Sequence, residues 1–291
     1  MKEAALVLDA KAILAEGPSW DEQTQQLIWV DINGHKINLF DPVTGKNQSF
    51  DTGQHACAAV RKESGGMMVT LRDGFYSFNP KTKELTSIYD PESHLSGNRF
   101  NDGKCDPQGR FWAGTMVLEG EEGDASLYRL DPDLSVHTML KGATVSNGMA
   151  WDPAKNVMYY IDTPTKKIMA YDYHPDTGYI TNGRTAVAVS EERENPDGMT
   201  IDDEGMLWTA FFGGWGVVRF NPETGEALSE ISVPAAQVTS CTFGGAAMDE
   251  LYITTARDGL SDEDLKDQPH AGGIFMVKPG VSGAPSYPFR G

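Results

Sequence analysis

Leu27-Ile28-Trp29-Val30-Asp31-Ile32-Asn33-Gly34-His35-Lys36-Ile37-Asn38-Leu39-Phe40 sets two alternating apolar runs around an Asn-Gly pair, and Asp41-Pro42-Val43-Thr44-Gly45 follows at once. Alternation at period two is the signature of a half-buried strand. Asn-Gly is the strongest short hairpin signal, because a type I′ turn needs positive φ at both central residues. Leu27–Ile32 and His35–Phe40 therefore read as an antiparallel hairpin closed by a type I′ turn at Asn33-Gly34. In the second turn proline fixes φ at the second position and glycine closes the bend.

Working outward, the same pattern recurs six times. Relatives of the Asp-Pro turn stand at Asn79-Pro80-Lys81-Thr82, Asp131-Pro132-Asp133, His174-Pro175-Asp176-Thr177-Gly178 and Asn221-Pro222-Glu223-Thr224-Gly225. A second turn set, at Asp21-Glu22-Gln23, Asp106-Pro107-Gln108-Gly109, Asp152-Pro153-Ala154 and Asp202-Asp203-Glu204-Gly205, separates the first strand of a repeat from the second. The repeats begin at Glu16-Gly17-Pro18, His55-Ala56-Cys57, Asn101-Asp102-Gly103, Asn147-Gly148-Met149, Asp197-Gly198-Met199 and Ser240-Cys241-Thr242. A period of roughly 40 to 50 residues belongs to propellers and solenoids. Each repeat is a four-stranded antiparallel meander, so the expected fold is all-β: a six-bladed β-propeller forming one domain over residues 1–291. Leu6-Val7-Leu8 has no partner in the first repeat. It is expected to pair with the last blade beside Gly273–Val277 and close the ring, since an open terminal blade would present an unprotected edge.

Composition fits this reading and removes some functions. With 40% hydrophobic residues the chain can bury a substantial core, and 31 glycines with 16 prolines suit a turn-rich β protein. A formal net charge of -18 argues against nucleic acid or an anionic membrane as partner, because both would repel it. Residues 1–14 lack a stretch apolar enough for a signal sequence, and no window approaches a membrane span. Cys57, Cys105 and Cys241 are odd in number and have no Cys-x-x-Cys spacing, which suits buried thiols in a reducing, cytoplasmic setting.

A propeller places the starts of its innermost strands at one mouth of the axial channel. Glu16, Asn101, Asn147 and Asp197 are thereby expected to converge. Carboxylates and amide carbonyls are hard oxygen donors suited to Ca²⁺, Mg²⁺ or Mn²⁺, and acceptable to Zn²⁺. Taken singly, each of these residues also reads as an ordinary turn residue; the shared offset within the repeats is what separates the two readings. His55 and Ser240 fall in the same slot of the second and sixth repeats, without an assigned role. Two connections on the mouth side are expanded, 117–124 and 257–272, and long loops over one end of a scaffold commonly carry function. No nucleophile elbow, phosphate loop or dinucleotide fingerprint is present.

Ala15-Glu16-Gly17-Pro18-Ser19-Trp20, Asn98-Arg99-Phe100-Asn101-Asp102-Gly103-Lys104, Trp112-Ala113-Gly114-Thr115-Met116, Ser146-Asn147-Gly148-Met149-Ala150-Trp151 and Pro196-Asp197-Gly198-Met199 resemble the motifs of the SMP-30/gluconolactonase/regucalcin family. The resemblance spans about Glu16 to Arg257. It implies a six-bladed propeller holding one divalent cation, calcium first, through Glu16, Asn147 and Asp197. It further implies that Arg99, Asn101 and Glu119 contact a sugar lactone, which shifts Asn101 from ion ligand to substrate contact. The expected activity is hydrolysis of aldonolactones to aldonic acids, with Asp197 as general base, by a monomer or dimer acting on a small molecule. Two alternatives remain open at this stage: an esterase or phosphotriesterase on the same scaffold, and a calcium-binding propeller without catalysis.

Overall fold

Six antiparallel sheets stand around a common axis in the computed structural model, which describes residues 2–291. The first blade consists of Ala15–Asp21, Gln26–Asp31, Lys36–Asp41 and Lys46–Asp51, in that order from the axis outward. The other inner strands are Ala56–Arg61, Asn98–Cys105, Ser146–Asp152, Asn195–Ile201 and Val238–Gly244. Each packs against the inner strands of both neighbours, so the ring is complete. The protein is a six-bladed β-propeller. Six strands crowding one axis favour small side chains: Ala56, Cys57, Ala58 and Ala59 follow one another in blade two, all fully buried. A Cβ added to Gly103 would meet Ala58 at 3.1 Å. Farther out the blades are glued by aromatic rings, as where Phe75 of blade two meets Phe100 and Phe111 of blade three edge-on.

The opening hairpin is present but its turn differs from the expectation. Asp31 pairs with Lys36, which leaves a four-residue connection, Ile32 to His35. Positive φ falls on His35, at 57°, and not on Asn33 or Gly34. Glycine is required at 34 for a different reason. Its N–H donates to Asp31 Oδ1 at 3.0 Å, and a Cβ there would lie 2.2 Å from Asp31 Oδ2. The same carboxylate accepts the N–H groups of Ile13 and Leu14 at 3.2 and 3.0 Å, tying down the segment that enters blade one. The Asp-Pro turns behave as read: Asp41 accepts Val43 N–H at 2.9 Å, and Gly45 closes the bend at φ 69°.

The N-terminal strand closes the ring. Ala5–Leu8 lies antiparallel to Ile274–Val277, with Leu6 opposite Phe275, and completes blade six. Lys2–Glu3 adds a parallel fifth strand to blade five, opposite Ile231 and Ser232, so the N-terminal residues clasp two adjacent blades. The C-terminal segment does the corresponding work at the channel end opposite the mouth. Gly283 N–H donates to Met248 O in blade six and Ala284 N–H to Ile201 O in blade five; Phe289 N–H and Arg290 N–H reach Arg61 O in blade two and Gly109 O in blade three. This strap crosses the ring and roofs a small cavity of about 40 Å³ beside Lys104, Thr200 and Thr242. Among the described residues no helix is long and apolar enough to cross a membrane.

Candidate functional site

Every inner strand breaks register near the mouth. The breaks fall between Glu16 and Ser19, Ala56 and Ala58, Phe100 and Gly103, Ser146 and Met149, Pro196 and Met199, and Val238 and Ser240. A bulge frees residues from the ladder and re-aims their side chains. In blades three, four and five the first freed residue is Asn101, Asn147 and Asp197, so these three share one register. Glu16 stands one position earlier. Gly17 fills the shared slot in blade one with φ 52°, and its N–H donates to Glu16 Oε2 at 2.9 Å.

The same registers correct the assignment of the remaining two slots. In blades two and six the freed residues are Cys57 and Thr239, not His55 and Ser240. Both are fully buried. Thr239 Oγ1 sits 2.6 Å from Ala15 O and 2.7 Å from Thr254 Oγ1, holding blade six to blade one. Ser240 lies within the ladder opposite Thr254. His55 is a half-buried wall residue, its ring edge-on to His35 at 5.0 Å. Burial first, then the positive charge of Arg99, push its pKa down.

The mouth opens on a cavity of about 250 Å³ whose polar residues include Glu16, Asn101, Asn147 and Asp197, with Arg99 to one side. Leu14, Met116, Val145 and Phe212 supply apolar wall, and Thr163, Asn195 and Asp258 further polar groups. Five of the six residues singled out in the sequence are thus brought together. Glu119 is not. It lies exposed on the expanded loop of blade three, its N–H donating to Gly97 O two residues before Arg99. Asp258 comes from the 257–272 connection, where it accepts Asn33 Nδ2 at 2.9 Å. A larger cavity of about 340 Å³ between blades two and three contains the buried carboxylate of Glu92. That carboxylate is already engaged by Asn98, Thr115 and Tyr128, each at 2.9 Å, so it has a structural task.

Electrostatics distinguish the mouth. Glu16 is held well above the usual carboxylate range by burial, then by the charges of Asp197 and Asp102. Asp197 is raised likewise, by burial first and Asp102 second. The neighbouring Asn147 and Glu16 side chains offset this rise only in part. The positive charge of Arg99 offsets the rise only weakly at either acid. Its Nη1 is committed to Phe100 O and Asn101 Oδ1, both at 2.8 Å. Asn101 in turn donates from Nδ2 to Ser146 O at 2.9 Å.

Asn147 supplies the test of whether these residues suit a cation. Its Nδ2 donates to Thr163 Oγ1 at 3.1 Å, and its Oδ1 is buried without any partner. An unsatisfied buried acceptor costs roughly 1–3 kcal/mol. A bare carbonyl oxygen beside two buried, mutually repelling carboxylates is an arrangement that a hard divalent ion relieves on all three counts. No set of three or more His, Cys, Asp or Glu side chains suited to a metal gathers among the described residues. The oxygen groups that Glu16, Asp197 and Asn147 bring to the mouth are instead two carboxylates and one amide.

Residues 14–257 match the model of the SMP-30/Gluconolactonase/LRE-like region. The chain is 42% identical over 289 residues to "Putative sugar lactone lactonase YvrE" of Bacillus subtilis (strain 168), covering 99% of each chain. It is 40% identical to regucalcin of Gallus gallus, covering 96% of this chain and 95% of that protein. Among solved structures, the calcium-binding protein regucalcin from Agrobacterium tumefaciens superposes with a TM-score of 0.94 at 25% identity, covering 99% of this chain and 98% of the other.

Proposed function

The chain belongs to the SMP-30/gluconolactonase/LRE-like family, and on that premise we propose that it is a lactonase that opens aldonolactones to aldonic acids. The observation that carries the reading is the floor of the mouth: two buried carboxylates, Glu16 and Asp197, raised in pKa, beside the unpartnered Oδ1 of Asn147. These three would hold one divalent cation. Calcium is the first choice because all donors are oxygen, and Mg²⁺, Mn²⁺ and Zn²⁺ accept the same set. When bound, such an ion supplies Lewis-acid polarisation of the lactone carbonyl and stabilises the charge that develops there.

The rest of the work belongs to side chains. Arg99 has Nε and Nη2 left for a ligand after Nη1 is committed, and a guanidinium fork suits paired sugar oxygens. Asn101 fixes that fork, and its remaining amide capacity faces the same substrate. Glu119, exposed on the expanded loop of blade three, stays outside the mouth cavity. Leu14, Met116, Val145 and Phe212 exclude water from the apolar face of the ring. Asp197 acts as general base: it takes a proton from the attacking water as the water oxygen bonds to the carbonyl carbon. The ring C–O bond then breaks, and the proton passes to the ring oxygen, which leaves as a hydroxyl. Burial and Asp102 raise this carboxylate's pKa in the ion-free protein; a bound cation acts in the opposite sense and keeps Asp197 ionised, the form a general base requires. One chain supplies every group, so a monomer suffices. The three free, buried cysteines fit a cytoplasmic enzyme.

Asp197→Asn keeps the shape of the side chain and removes both its negative charge and its basicity. Turnover of an aldonolactone is expected to fall by roughly 10²–10⁴-fold or more, the range for loss of general-base catalysis. Turnover at the wild-type rate with the ion bound would remove Asp197 from the mechanism.

A further inference from the structure

Thr163 has no place in the sequence pattern, since it follows the second strand of blade four and begins no repeat. Its hydroxyl nevertheless joins two of the residues read as ion ligands. Thr163 Oγ1 donates to Pro196 O at 2.8 Å and accepts from Asn147 Nδ2 at 3.1 Å. A hydroxyl has one proton. With that proton given to a carbonyl, which can only accept, the remaining role of Oγ1 toward Asn147 is acceptor. The amide of Asn147 must then present Nδ2 to Thr163 and Oδ1 to the other side, and Oδ1 is the buried oxygen left without a partner.

The second contact acts on the neighbouring ligand. Pro196 O belongs to the peptide unit that joins Pro196 to Asp197, and a peptide unit is planar and rigid. Fixing its carbonyl fixes the direction in which Asp197 leaves the strand, at the point where blade five breaks register. Thr163 is itself held firmly. Its N–H donates to Val145 O at 3.1 Å, and it opens a single 3₁₀ turn, Thr163–Thr165, with Pro164 inside and Lys166 at φ 53° after it. Asn101 makes the parallel contact one blade earlier, from Nδ2 to Ser146 O, the carbonyl just before Asn147. A chain of hydrogen bonds thus runs from Arg99 through Asn101 to the backbone before Asn147, and from the Asn147 side chain through Thr163 to the backbone before Asp197.

We propose that Thr163 is the positioning residue of the cation site: its hydroxyl selects the amide orientation that turns Asn147 Oδ1 toward the ion and sets the backbone from which Asp197 projects. The inference rests on the reading of Glu16, Asn147 and Asp197 as ion ligands. Groups that orient metal ligands typically control affinity by 10–100-fold. Thr163 touches both candidate ligands through one oxygen, so an effect of about that size is expected.

The test is titration calorimetry of Ca²⁺, and separately of Mn²⁺, into chelator-treated protein. Thr163→Val keeps the shape and removes the hydroxyl, and is expected to weaken ion binding by about 10–100-fold while the ion-free melting temperature falls by only a few degrees. Thr163→Ser should bind within about twofold of wild type. Thr163→Cys, a weak acceptor, should fall between them and supplies the comparison if the valine variant does not fold. In an Asn147→Asp background the donor to Thr163 is gone. There Thr163→Val should cost much less than in the wild-type background, whereas a merely structural role would make the losses add. Wild-type affinity in Thr163→Val or Thr163→Cys overturns the proposal and leaves the lactonase reading intact. Absence of ion binding by the wild-type protein overturns both.

Discussion

Replacing Asp197 with asparagine should raise the melting temperature of the ion-free protein while abolishing its response to the ion. In the folded, ion-free state Asp197 is buried near Asp102 and Glu16, and its pKa is raised. A carboxylate with a raised folded pKa binds protons more readily folded than unfolded. Its effect is therefore destabilising above the folded pKa, and stability is regained as pH falls from there toward the unfolded value. At pH 8 the neutral amide removes that penalty, and the gap between variant and wild type should close as pH is lowered. Unfolding entropy near 2.1 cal/mol/K per residue gives about 0.6 kcal/mol/K for 291 residues. Each unit of pKa elevation, worth about 1.4 kcal/mol, thus appears as about 2 °C. An ion at a hundred times its dissociation constant stabilises by about 2.7 kcal/mol, which is about 4 °C in wild type and close to zero in Asp197→Asn. The assay is thermal unfolding followed by circular dichroism, in chelator and with excess Ca²⁺, from pH 5 to pH 8. Two results refute the reasoning: an ion-free variant that melts below wild type at pH 8, or a variant that the ion stabilises as strongly as wild type.

Three further outcomes follow from the packing. Phe289→Ala removes a fully buried ring that anchors the C-terminal strap in the core of blades two and three; a cost of about 3–5 kcal/mol should lower the melting temperature by about 5–8 °C in calorimetry at this chain length. Deleting residues 2–8 uncovers the outer edges of Ile274–Val277 in blade six and Ala227–Ser232 in blade five, so size-exclusion chromatography should show association in place of a single sharp peak. Gly148→Ala places a Cβ 2.7 Å from Asp197 O and 2.8 Å from Met199 N. Backbone cannot give way as a side-chain tip can, so the inner strands of blades four and five must part, and ion affinity by calorimetry should fall.

The parts of the fold that depend on periodicity could be read directly. Turn chemistry repeats because each blade solves the same problem, and Leu6-Val7-Leu8 was identifiable because a ring with a missing strand has a specific vacancy. The convergence of Glu16, Asn101, Asn147 and Asp197 followed from the same symmetry. What escaped was register. A bulge has no composition of its own, so the one-residue offset of Glu16 and the freeing of Cys57 and Thr239 from the ladder in place of His55 and Ser240 appear only in strand pairing. Asn33-Gly34 misled for a related reason: that glycine is required by the Asp31 carboxylate beside it, and no turn rule contains that contact. Lys2–Glu3 and the C-terminal strap were missed because they are short, aperiodic and bound to distant blades. Thr163, Phe212 and Asp258 reach the mouth from connections and strand ends, where symmetry gives no guide to which side chain faces in.

The most direct test of the central claim is hydrolysis by chelator-treated protein, restored with one divalent ion at a time and followed as acid released from glucono-, xylono- and arabinonolactone beside a phosphotriester. The account predicts negligible turnover without ion, recovery with at least one ion that accepts oxygen ligands, and a preference for the aldonolactones. Full lactone turnover in the ion-free protein, or ion-restored turnover of the phosphotriester with none of the lactones, would contradict it.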